Sequence, residues 1–417
     1  MIWLGLAIVI ATFYAIIKNY ETRMVLFISG AVMAILGGGL AGAFESFVKT
    51  MVEGGLVPTI CTVMGFSYVM DCTGCTKHLV TFLTNLLKKV KILLVPGAVL
   101  ATFAINIALP SAAGAAAAVG ALLIPTLIGT GVHPALAASA VFLGTWGSSM
   151  SPGLMFNPQI AKMAQVDVMT VIATFSAQTT AAAFVAALLL AVIAHIKKEG
   201  PGSQHSGEAI DDKDKFHVNY IWAITPVVPL VLLILGSKQV HMIPEFSVPQ
   251  AMVIGTIIGM LITRFNVSEA TKKFFKGNGD GFADIVCLMA AAAMFTQGMT
   301  AIGITGALID VMKNSQQIAQ VASAFGPFII GVVSGSGNAA ALAFNGAVTP
   351  HAAQFGYGII ELGSMAQIGA GLGRTMSPVA GAGIICAKIA GVNPMELAKR
   401  NAIPTIVATL IVMFTLL

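Results

Sequence analysis

The stretch GLGRTMSP, Gly371 to Pro378, places an arginine inside a long run that carries almost no other charge. An earlier stretch, TWGSSMSP from Thr145 to Pro152, has nearly the same pattern, with Ser148 at the position of the arginine. Proline removes a backbone donor and clashes with the preceding helical turn, so each stretch predicts a helix that unwinds just before its proline. The pattern predicts a broken helix that occurs twice, with a permanent positive charge in the second copy only.

The composition indicates which solvent surrounds the chain. Of its 417 residues, 57% are hydrophobic and only 9% are charged, and the mean hydropathy is +0.90. A soluble domain carries about 25% charged residues, whereas roughly 20 consecutive apolar residues span a bilayer. The chain is therefore predicted to be an all-α polytopic membrane protein, and its first segment does not have the pattern of a cleavable signal peptide.

The distribution of lysine and arginine predicts the orientation. With the N-terminus placed outside, 17 of the 22 Lys and Arg residues fall in inside loops and four in outside loops, and Arg374 alone lies within a span. Cytoplasmic loops are enriched in Lys and Arg, so both termini are predicted to lie outside. The net charge of +5 then reflects topology, and no nucleic-acid partner is expected.

A shift of 226 residues aligns the two halves of the chain. Nine of the 23 residues from Gly147 to Met169 are identical to their counterparts between Gly373 and Met395, without a gap. With a slip of three residues, SAAGAAAA (Ser111 to Ala118) pairs with SGSGNAAA (Ser334 to Ala341). These matches predict an internal duplication.

Each copy is predicted to hold three spans, a re-entrant hairpin, a broken span and a closing span. The first repeat, 1–196, comprises scaffold spans within 1–75 (1–17, 24–44 and 54–70), an interfacial helix 77–91, a hairpin 92–132, a broken span 134–161 and a closing span 168–196. A cytoplasmic linker, 197–217, leads to the second repeat, 218–417, with a hairpin near 318–350 and a broken span near 352–386. A re-entrant hairpin does not cross, so each copy crosses five times, about ten in all, and the second copy is inverted. This architecture is typical of secondary transporters. For 77–91, a loop helix packed on the protein is the alternative.

The hairpin breaks and the broken spans together predict a binding site. LPSAAG (Leu109 to Gly114) and VSGSGN (Val333 to Asn338) interrupt their helices with Pro and Gly, and the freed backbone groups must line a cavity. The arm after each break presents the positive end of its helix dipole. The candidate site residues are Ser111, Gly114, Thr145, Ser148, Ser149, Ser151, Ser336, Gly337, Asn338, Arg374, Thr375 and Ser377.

Arg374 is the candidate that determines the sign of the ligand. Its guanidinium fork matches a carboxylate, and a charge at mid-span costs roughly 2.5–3.5 kcal/mol on insertion scales, so a partner is expected. The ligand is then an anion; the alternatives are a salt bridge from Arg374 to Glu361 or a side chain that snorkels to the inner surface. Na⁺ or H⁺ is a candidate coupling ion, with sodium near Ser334, Gly335 and Asn338, although the same groups suit substrate oxygens equally. No other cofactor is expected.

Three further motifs suggest enzymes or metal sites. DCTGCTKH (Asp71 to His78) has the C-x-x-C spacing of metal and redox sites but lacks a second ligand pair. GNGD (Gly277 to Asp280) matches a motif of intramembrane aspartyl proteases, and SGSG (Ser334 to Gly337) with His351 suggests a membrane serine protease. Each occurs without the other residues that its chemistry needs.

SGSGN (Ser334 to Asn338), LGRTMSP (Leu372 to Pro378) and NPMELAKR (Asn393 to Arg400) together resemble the DcuC family of anaerobic C4-dicarboxylate carriers, within the ion transporter superfamily. The resemblance implies exchange, uptake or efflux of fumarate, succinate, malate or aspartate across a bacterial inner membrane. It also implies a homodimer that works as an elevator, with the hairpin tips facing the unwound spans. The first tip, Pro110 to Gly114, is less polar than is usual in the superfamily. The alternatives are the same architecture for another anion (citrate, sulfate or an acyl amino acid) or an intramembrane hydrolase.

Overall fold

Helices form every regular element of the residues that the structure, a computed structural model, describes: 1–18, 20–88, 94–201, 216–238, 240–313 and 316–417. The prediction of an all-α chain is thereby confirmed for these residues. The helices are α1 Ile2–Ile17, α2 Thr22–Leu36, α3 Leu40–Met51, α4 Leu56–Cys72, α5 Cys75–Lys88, α6 Leu94–Ala108, α7 Ala112–Gly129, α8 Pro134–Gly144, α9 Phe156–Ala164, α10 Val168–Ile196, α11 Tyr220–Ile224, α12 Val228–Leu235, α13 Val248–Thr263, α14 Val267–Gly281, α15 Cys287–Ala301, α16 Ile304–Lys313, α17 Gln316–Ser334, α18 Asn338–Ala347, α19 Ile359–Arg374, α20 Gly381–Ala390 and α21 Pro394–Leu416.

Several of these helices have the length and apolar composition of a membrane span. Five in the described part of the chain qualify: α7, α10, α17, α21 and the continuous helix Val267–Ala301, in which a π-helical turn joins α14 to α15. A sixth is formed if α3 and α4, which meet at an angle of 44°, are counted as one bent span. Shorter apolar helices accompany them, including α1, α2, α6 and α13.

The second scaffold span is interrupted where the sequence predicted one continuous segment, 24–44. Helix α2 ends at Leu36 and α3 begins at Leu40, with three glycines between them. A Cβ atom on Gly37 would lie 2.5 Å from the carbonyl carbon of Ala301, and Gly38 has a φ of +72°. The chain turns here because a close approach to α15 and a left-handed backbone both require glycine.

Two groups of helices organise the molecule. In the scaffold group (α1–α4 and α11–α15), α2 packs along α15 while α13 packs along α4, and α3 lies on α15 while α14 lies on α4. The other group holds the predicted hairpins and broken spans (α6–α10 and α17–α21), and we call it the transport group after the role that the family resemblance implies for it. In this group α6 packs on α8, α17 on α19, and α10 on α21. Contacts between α15 and α18 join the two groups.

Helix α5 connects the two groups in the first half of the chain. It corresponds to the predicted interfacial helix 77–91, of which residues 89–91 lie outside the described residues, as do residues 92–93 of the predicted hairpin and 202–215 of the predicted linker. Helix α5 packs against α11, α6 and α7, and buries Cys75, Leu79, Val80 and Thr84. Part of its apolar face is thus covered by the protein, whereas Leu86 is exposed.

Candidate functional site

Helices break at both predicted hairpin tips. Helix α6 ends at Ala108 and α7 begins at Ala112, and the hydroxyl of Ser111 caps α7 by accepting a hydrogen bond from the Gly114 N–H at 3.1 Å. This bond satisfies one of the donors that a helix start leaves without a partner. In the second half, α17 ends at Ser334 and α18 begins at Asn338.

Glycines hold the second tip against the second broken span. Gly335 and Gly337 have φ values of +75° and +69°, a region that side chains rarely adopt. A Cβ on Gly335 would lie 2.9 Å from the backbone of Val379, and one on Gly337 would lie 2.9 Å from the carbonyl oxygen of Ala370. The tip therefore approaches the end of α19 and the start of α20 at backbone distance.

The hydroxyl of Ser334 organises this tip. It donates to the carbonyl oxygen of Ile330 at 2.7 Å and accepts from the N–H groups of Ser336 and Gly337, each at 3.4 Å. Ser336 is exposed and Asn338 is half-buried. The polar side chains that remain open to a ligand at this tip are those of Ser336 and Asn338.

Both broken spans unwind around the predicted prolines. Helix α8 ends at Gly144 and α9 begins at Phe156, whereas α19 ends at Arg374 and α20 begins at Gly381, so Pro152 and Pro378 fall in the gaps. Thr145 and Thr375 cap the two ends in the same way. Their hydroxyls donate to the carbonyl oxygens of Phe142 and Leu372, both at 2.8 Å, and both threonines are fully buried.

Each broken span lies against the first arm of the hairpin in its own half. A Cβ on Gly147 would lie 2.1 Å from the carbonyl oxygen of Phe103, and a Cβ on Gly373 would lie 2.1 Å from that of Phe328. Real Cβ contacts are longer, so only glycine allows these approaches. The same close contact therefore occurs once in each half of the chain.

Buried amide side chains supply the hydrogen bonds that the first break removes from the backbone. Asn106, fully buried in α6, accepts from the Ser148 N–H at 2.8 Å and donates to the carbonyl oxygen of Leu109 at 3.0 Å. It thus ties the unwound span to the first hairpin tip. Asn157 donates to the carbonyl oxygens of Ser149 and Ser151, both at 2.8 Å.

This amide network continues into the second half. Gln367 on α19 donates to Asn157 at 2.7 Å, and Asn401 on α21 donates to the carbonyl oxygen of Thr375 at 2.9 Å. Asn106, Asn157, Gln367 and Asn401 are not among the candidates predicted from the sequence, because those candidates all lie at the helix breaks themselves. An Asn or Gln inside an uncharged apolar run is the signal that points to them, since a buried polar group needs a partner.

Arg374 joins the two broken spans. Its Nη2 atom donates to the carbonyl oxygen of Thr145 at 2.7 Å, and its Nε atom is buried without a hydrogen-bond partner. Glu361 lies in the first turn of α19 and Arg374 in the last. At 1.5 Å per residue, about 20 Å separate them along the helix, which rules out the alternative salt bridge.

Two further site hydroxyls differ in their bonding. The hydroxyl of Ser149 is buried and unpaired, whereas the hydroxyl of Ser377 accepts a hydrogen bond from the Val379 N–H at 3.3 Å. A buried polar group without a partner is uncommon in a folded protein. The unpaired groups of Ser149 and Arg374 therefore leave hydrogen-bonding capacity on both broken spans.

The enzyme-like motifs have structural roles or ordinary surroundings. Asp280 of GNGD lies in α14 and accepts a hydrogen bond from the Tyr68 hydroxyl at 2.7 Å, which joins α14 to α4. The Nδ1 atom of His351 lies 3.3 Å from the amide nitrogen of Gln354. Within the described residues, no cluster of three or more His, Cys, Asp or Glu side chains is arranged to hold a metal ion.

Comparison with known proteins identifies the family. The family described as C4-dicarboxylate anaerobic carrier, DcuC, matches residues 2–417. The anaerobic C4-dicarboxylate transporter DcuC of Escherichia coli K12 is 26% identical over 446 residues, which cover 98% of this chain and 94% of that protein. An uncharacterized transporter of Haemophilus influenzae is 35% identical over 272 residues, which cover 63% of this chain and 97% of that protein.

A solved structure shares the fold. Neisseria gonorrhoeae MtrF, described as one of a class of antimetabolite efflux pumps, superposes with a TM-score of 0.66 at 13% identity, over 97% of this chain and 94% of that one. The protein is thus a multi-pass membrane protein with an all-helical transporter fold, and its family is one of carriers, not of enzymes. The resemblance read from SGSGN and LGRTMSP is confirmed: the chain belongs to the DcuC family of C4-dicarboxylate anaerobic carriers.

Proposed function

We propose that this chain is a secondary transporter that moves the C4-dicarboxylates succinate, fumarate, malate and aspartate across the bacterial inner membrane. Transport occurs by exchange or by ion-coupled alternating access. The hydrogen bond from Arg374 to the Thr145 carbonyl carries this proposal, because it brings the two unwound spans together beside a guanidinium whose Nε atom is free. A guanidinium pairs with a carboxylate through two parallel hydrogen bonds. The N-terminal helix ends at the breaks, which carry a partial positive charge, neutralise part of the negative charge of the second carboxylate.

The proposed architecture consists of two inverted repeats of five crossings each, with two re-entrant hairpins. Two observations support it: α2 packs on α15 where α13 packs on α4, and Gly147 approaches Phe103 as Gly373 approaches Phe328. In this proposal the transport group moves against the scaffold group as an elevator, within a homodimer in the lipid bilayer. The Lys and Arg distribution supports placing both termini on the periplasmic side.

The site residues fall into two roles in this proposal. Ser149, Ser336, Asn338 and Arg374 supply the groups that bind the substrate, because their polar side chains are exposed, half-buried or carry an unpaired atom. The other proposed members shape the backbone around it: Ser111, Gly114, Thr145, Ser148, Ser151, Gly337, Thr375 and Ser377. A coupling Na⁺ would bind near Ser334, Gly335 and Asn338, where the left-handed glycine backbone turns; H⁺ is the alternative coupling ion.

Counterflow in proteoliposomes tests the function. Vesicles loaded with unlabelled fumarate should take up labelled succinate, with Na⁺ removed in one series and the pH varied in another. External malate and aspartate should compete, whereas citrate, sulfate and an acyl amino acid should not. Exchange of one of the latter three, with no exchange of succinate, would assign the site to a different anion.

A further inference from the structure

A cavity of 290 Å³ lies between the scaffold group and the transport group, and none of its lining residues belongs to a hairpin tip. Its walls come from α3 and α15 on one side and from α9 and α18 on the other. The polar residues that matter here are Thr50, Glu53, Gln159, Lys162 and Thr296. We call it the inner cavity; its volume is large enough for a C4-dicarboxylate with several water molecules.

A wider cavity of 700 Å³ adjoins the inner cavity. The two share Glu53, Leu56 and Lys162, so these three side chains stand where one cavity meets the other. The Lys162 side chain is 54% exposed and the Glu53 side chain is 23% exposed. An anion that enters the wide cavity therefore meets the ammonium group of Lys162 before it reaches the inner cavity.

Glu53 and Lys162 form an ion pair across the boundary between the two groups. Glu53 lies in the turn between α3 and α4, and Lys162 lies near the end of α9. The Glu53 carboxylate pairs with the Lys162 ammonium group at the position where a substrate carboxylate would bind. Because exposed ion pairs stabilise a fold only slightly, a competing carboxylate can displace Glu53 at small cost.

Both walls of the inner cavity carry polar groups without partners, Thr296 on α15 and Gln159 on α9. Thr296 is 7% exposed, and its hydroxyl and the Oε1 atom of Gln159 are both buried without a hydrogen-bond partner. Gly346 lies beside this hydroxyl, and a Cβ atom there would approach it to 2.6 Å. The Thr296 hydroxyl can donate to a carboxylate oxygen once rotation of its side chain turns it toward the cavity, and the amide N–H groups of Gln159 are further donors.

We infer that the inner cavity is an access subsite for the anionic substrate, separate from Arg374. Lys162 binds one carboxylate as Glu53 is displaced, and the hydroxyl of Thr296 receives the other end of the molecule. Glu53 then acts as an internal competitor that re-forms the ion pair once the substrate has moved on. The inference rests on the proposed function, since it assumes that the transported molecule carries carboxylates.

Paired neutralisation tests the subsite. In succinate counterflow, Lys162→Gln should raise KM about 5–20-fold, as expected for the loss of a partly solvated charge-assisted hydrogen bond. Glu53→Gln should instead lower KM, about two- to fivefold, because the internal competitor is gone. If the ion pair were only a clasp between the groups, both variants would change KM in the same direction, and that result, or an unchanged KM in either variant, would overturn the inference.

Two further variants separate binding from folding and from general charge attraction. Thr296→Val removes an unpaired buried hydroxyl, so the melting temperature should rise while KM increases severalfold; an unchanged KM contradicts the subsite. Lys238→Gln is the matched control, since Lys238 pairs with Asp167 at 3.5 Å and does not line the inner cavity. Its KM should stay at the wild-type value, and a rise equal to that of Lys162→Gln would assign the effect to long-range attraction.

The failure of the proposed function has a different signature. Wild-type protein that exchanges no succinate but exchanges another anion would refute the assignment of substrate. The same four variants measured with that anion would still report whether Lys162 and Glu53 act in opposite directions. If the inner cavity has no role in access, wild-type protein still exchanges succinate, but Lys162→Gln and Glu53→Gln do not shift KM in opposite directions.

Discussion

The Nη2 atom of Arg374 donates a hydrogen bond to the carbonyl oxygen of Thr145, 2.7 Å away, although 229 residues separate the two in sequence. The break after α8 frees this carbonyl from its helical partner, and the Nε atom of the half-buried guanidinium is out of reach of water. The hydrogen bond therefore stabilises both groups, because a polar group without a hydrogen-bond partner in an apolar surrounding is destabilising. The contact also fixes the guanidinium between the two broken spans.

Arg374→Lys should weaken substrate binding while the fold remains intact. Lysine keeps the positive charge but loses the planar fork that bonds a carboxylate and the Thr145 carbonyl together. The loss should amount to about 1.5–3 kcal/mol, the range for hydrogen bonds to charged groups, or roughly a 10- to 140-fold rise in Kd for labelled succinate. Arg264→Lys, at an exposed position, is the control. Wild-type affinity in Arg374→Lys would show that the guanidinium does not contact the substrate.

Asn157→Ala should destabilise the protein strongly. The substitution leaves the carbonyl oxygens of Ser149 and Ser151 without their donor in a buried site, at an expected cost of about 2–4 kcal/mol. Gln367→Ala, which removes the bond to Asn157, should cost less. Denaturant titration of the two single variants and the double variant measures their coupling, expected at about 0.5–3 kcal/mol because the residues share one network; additive effects would argue against the network.

Two glycine substitutions should change stability in opposite directions. Gly373→Ala forces a Cβ to within 2.1 Å of the Phe328 carbonyl oxygen, so the backbone must shift, at about 1–3 kcal/mol as in overpacked cores. Gly279→Ala adds a methyl group where the structure leaves open space, on an exposed helical position. Helix propensity favours that change by about 0.5–1 kcal/mol. Melting temperatures in detergent measure both effects. An unchanged melting temperature for Gly373→Ala would mean that α17 and α19 separate easily at this contact.

Glu199 should make stability depend on pH. Burial raises the pKa of its carboxyl group, but the hydrogen bonds and charge of Arg400, with an Nη2–Oε1 distance of 2.5 Å, outweigh burial and lower the pKa below the ordinary value of 4.5. A lowered folded-state pKa stabilises the protein above pH 4.5, and this contribution disappears as the pH falls through the folded-state value.

Glu199→Gln tests this dependence. The variant should lose about 1–3 kcal/mol at pH 7 and should differ less from wild type at about pH 3, because the stabilising contribution declines as the pH falls below 4.5. Thermal unfolding at the two pH values measures the difference. Glu45→Gln, which neutralises an exposed carboxylate on α3, should leave stability unchanged at both. An equal loss of stability at both pH values would show that the charge of Glu199 does not account for its contribution.

The features that could be predicted from the sequence are those that local chemistry sets. Helices break at Pro152 and Pro378 because proline removes a donor wherever it stands, and at Gly335 and Gly337 because only glycine tolerates that backbone. The apolar composition likewise determined that the chain would be helical and cross a membrane. The family resemblance depended on the same short polar motifs, which are legible without any knowledge of packing.

What only the tertiary structure decided are the contacts between distant parts of the chain. The partner of Arg374 is a backbone carbonyl 229 residues away. No pattern of side chains in the sequence predicts which backbone carbonyl lacks a helical partner. Packing places three amide side chains beside unwound backbone, and this placement gives them their role at the site: Asn106, Asn157 and Gln367. The interruption between α2 and α3 depends on how closely Gly37 approaches Ala301. Proline and glycine act within one turn of the chain, whereas a hydrogen bond or a cavity exists only where separate helices meet.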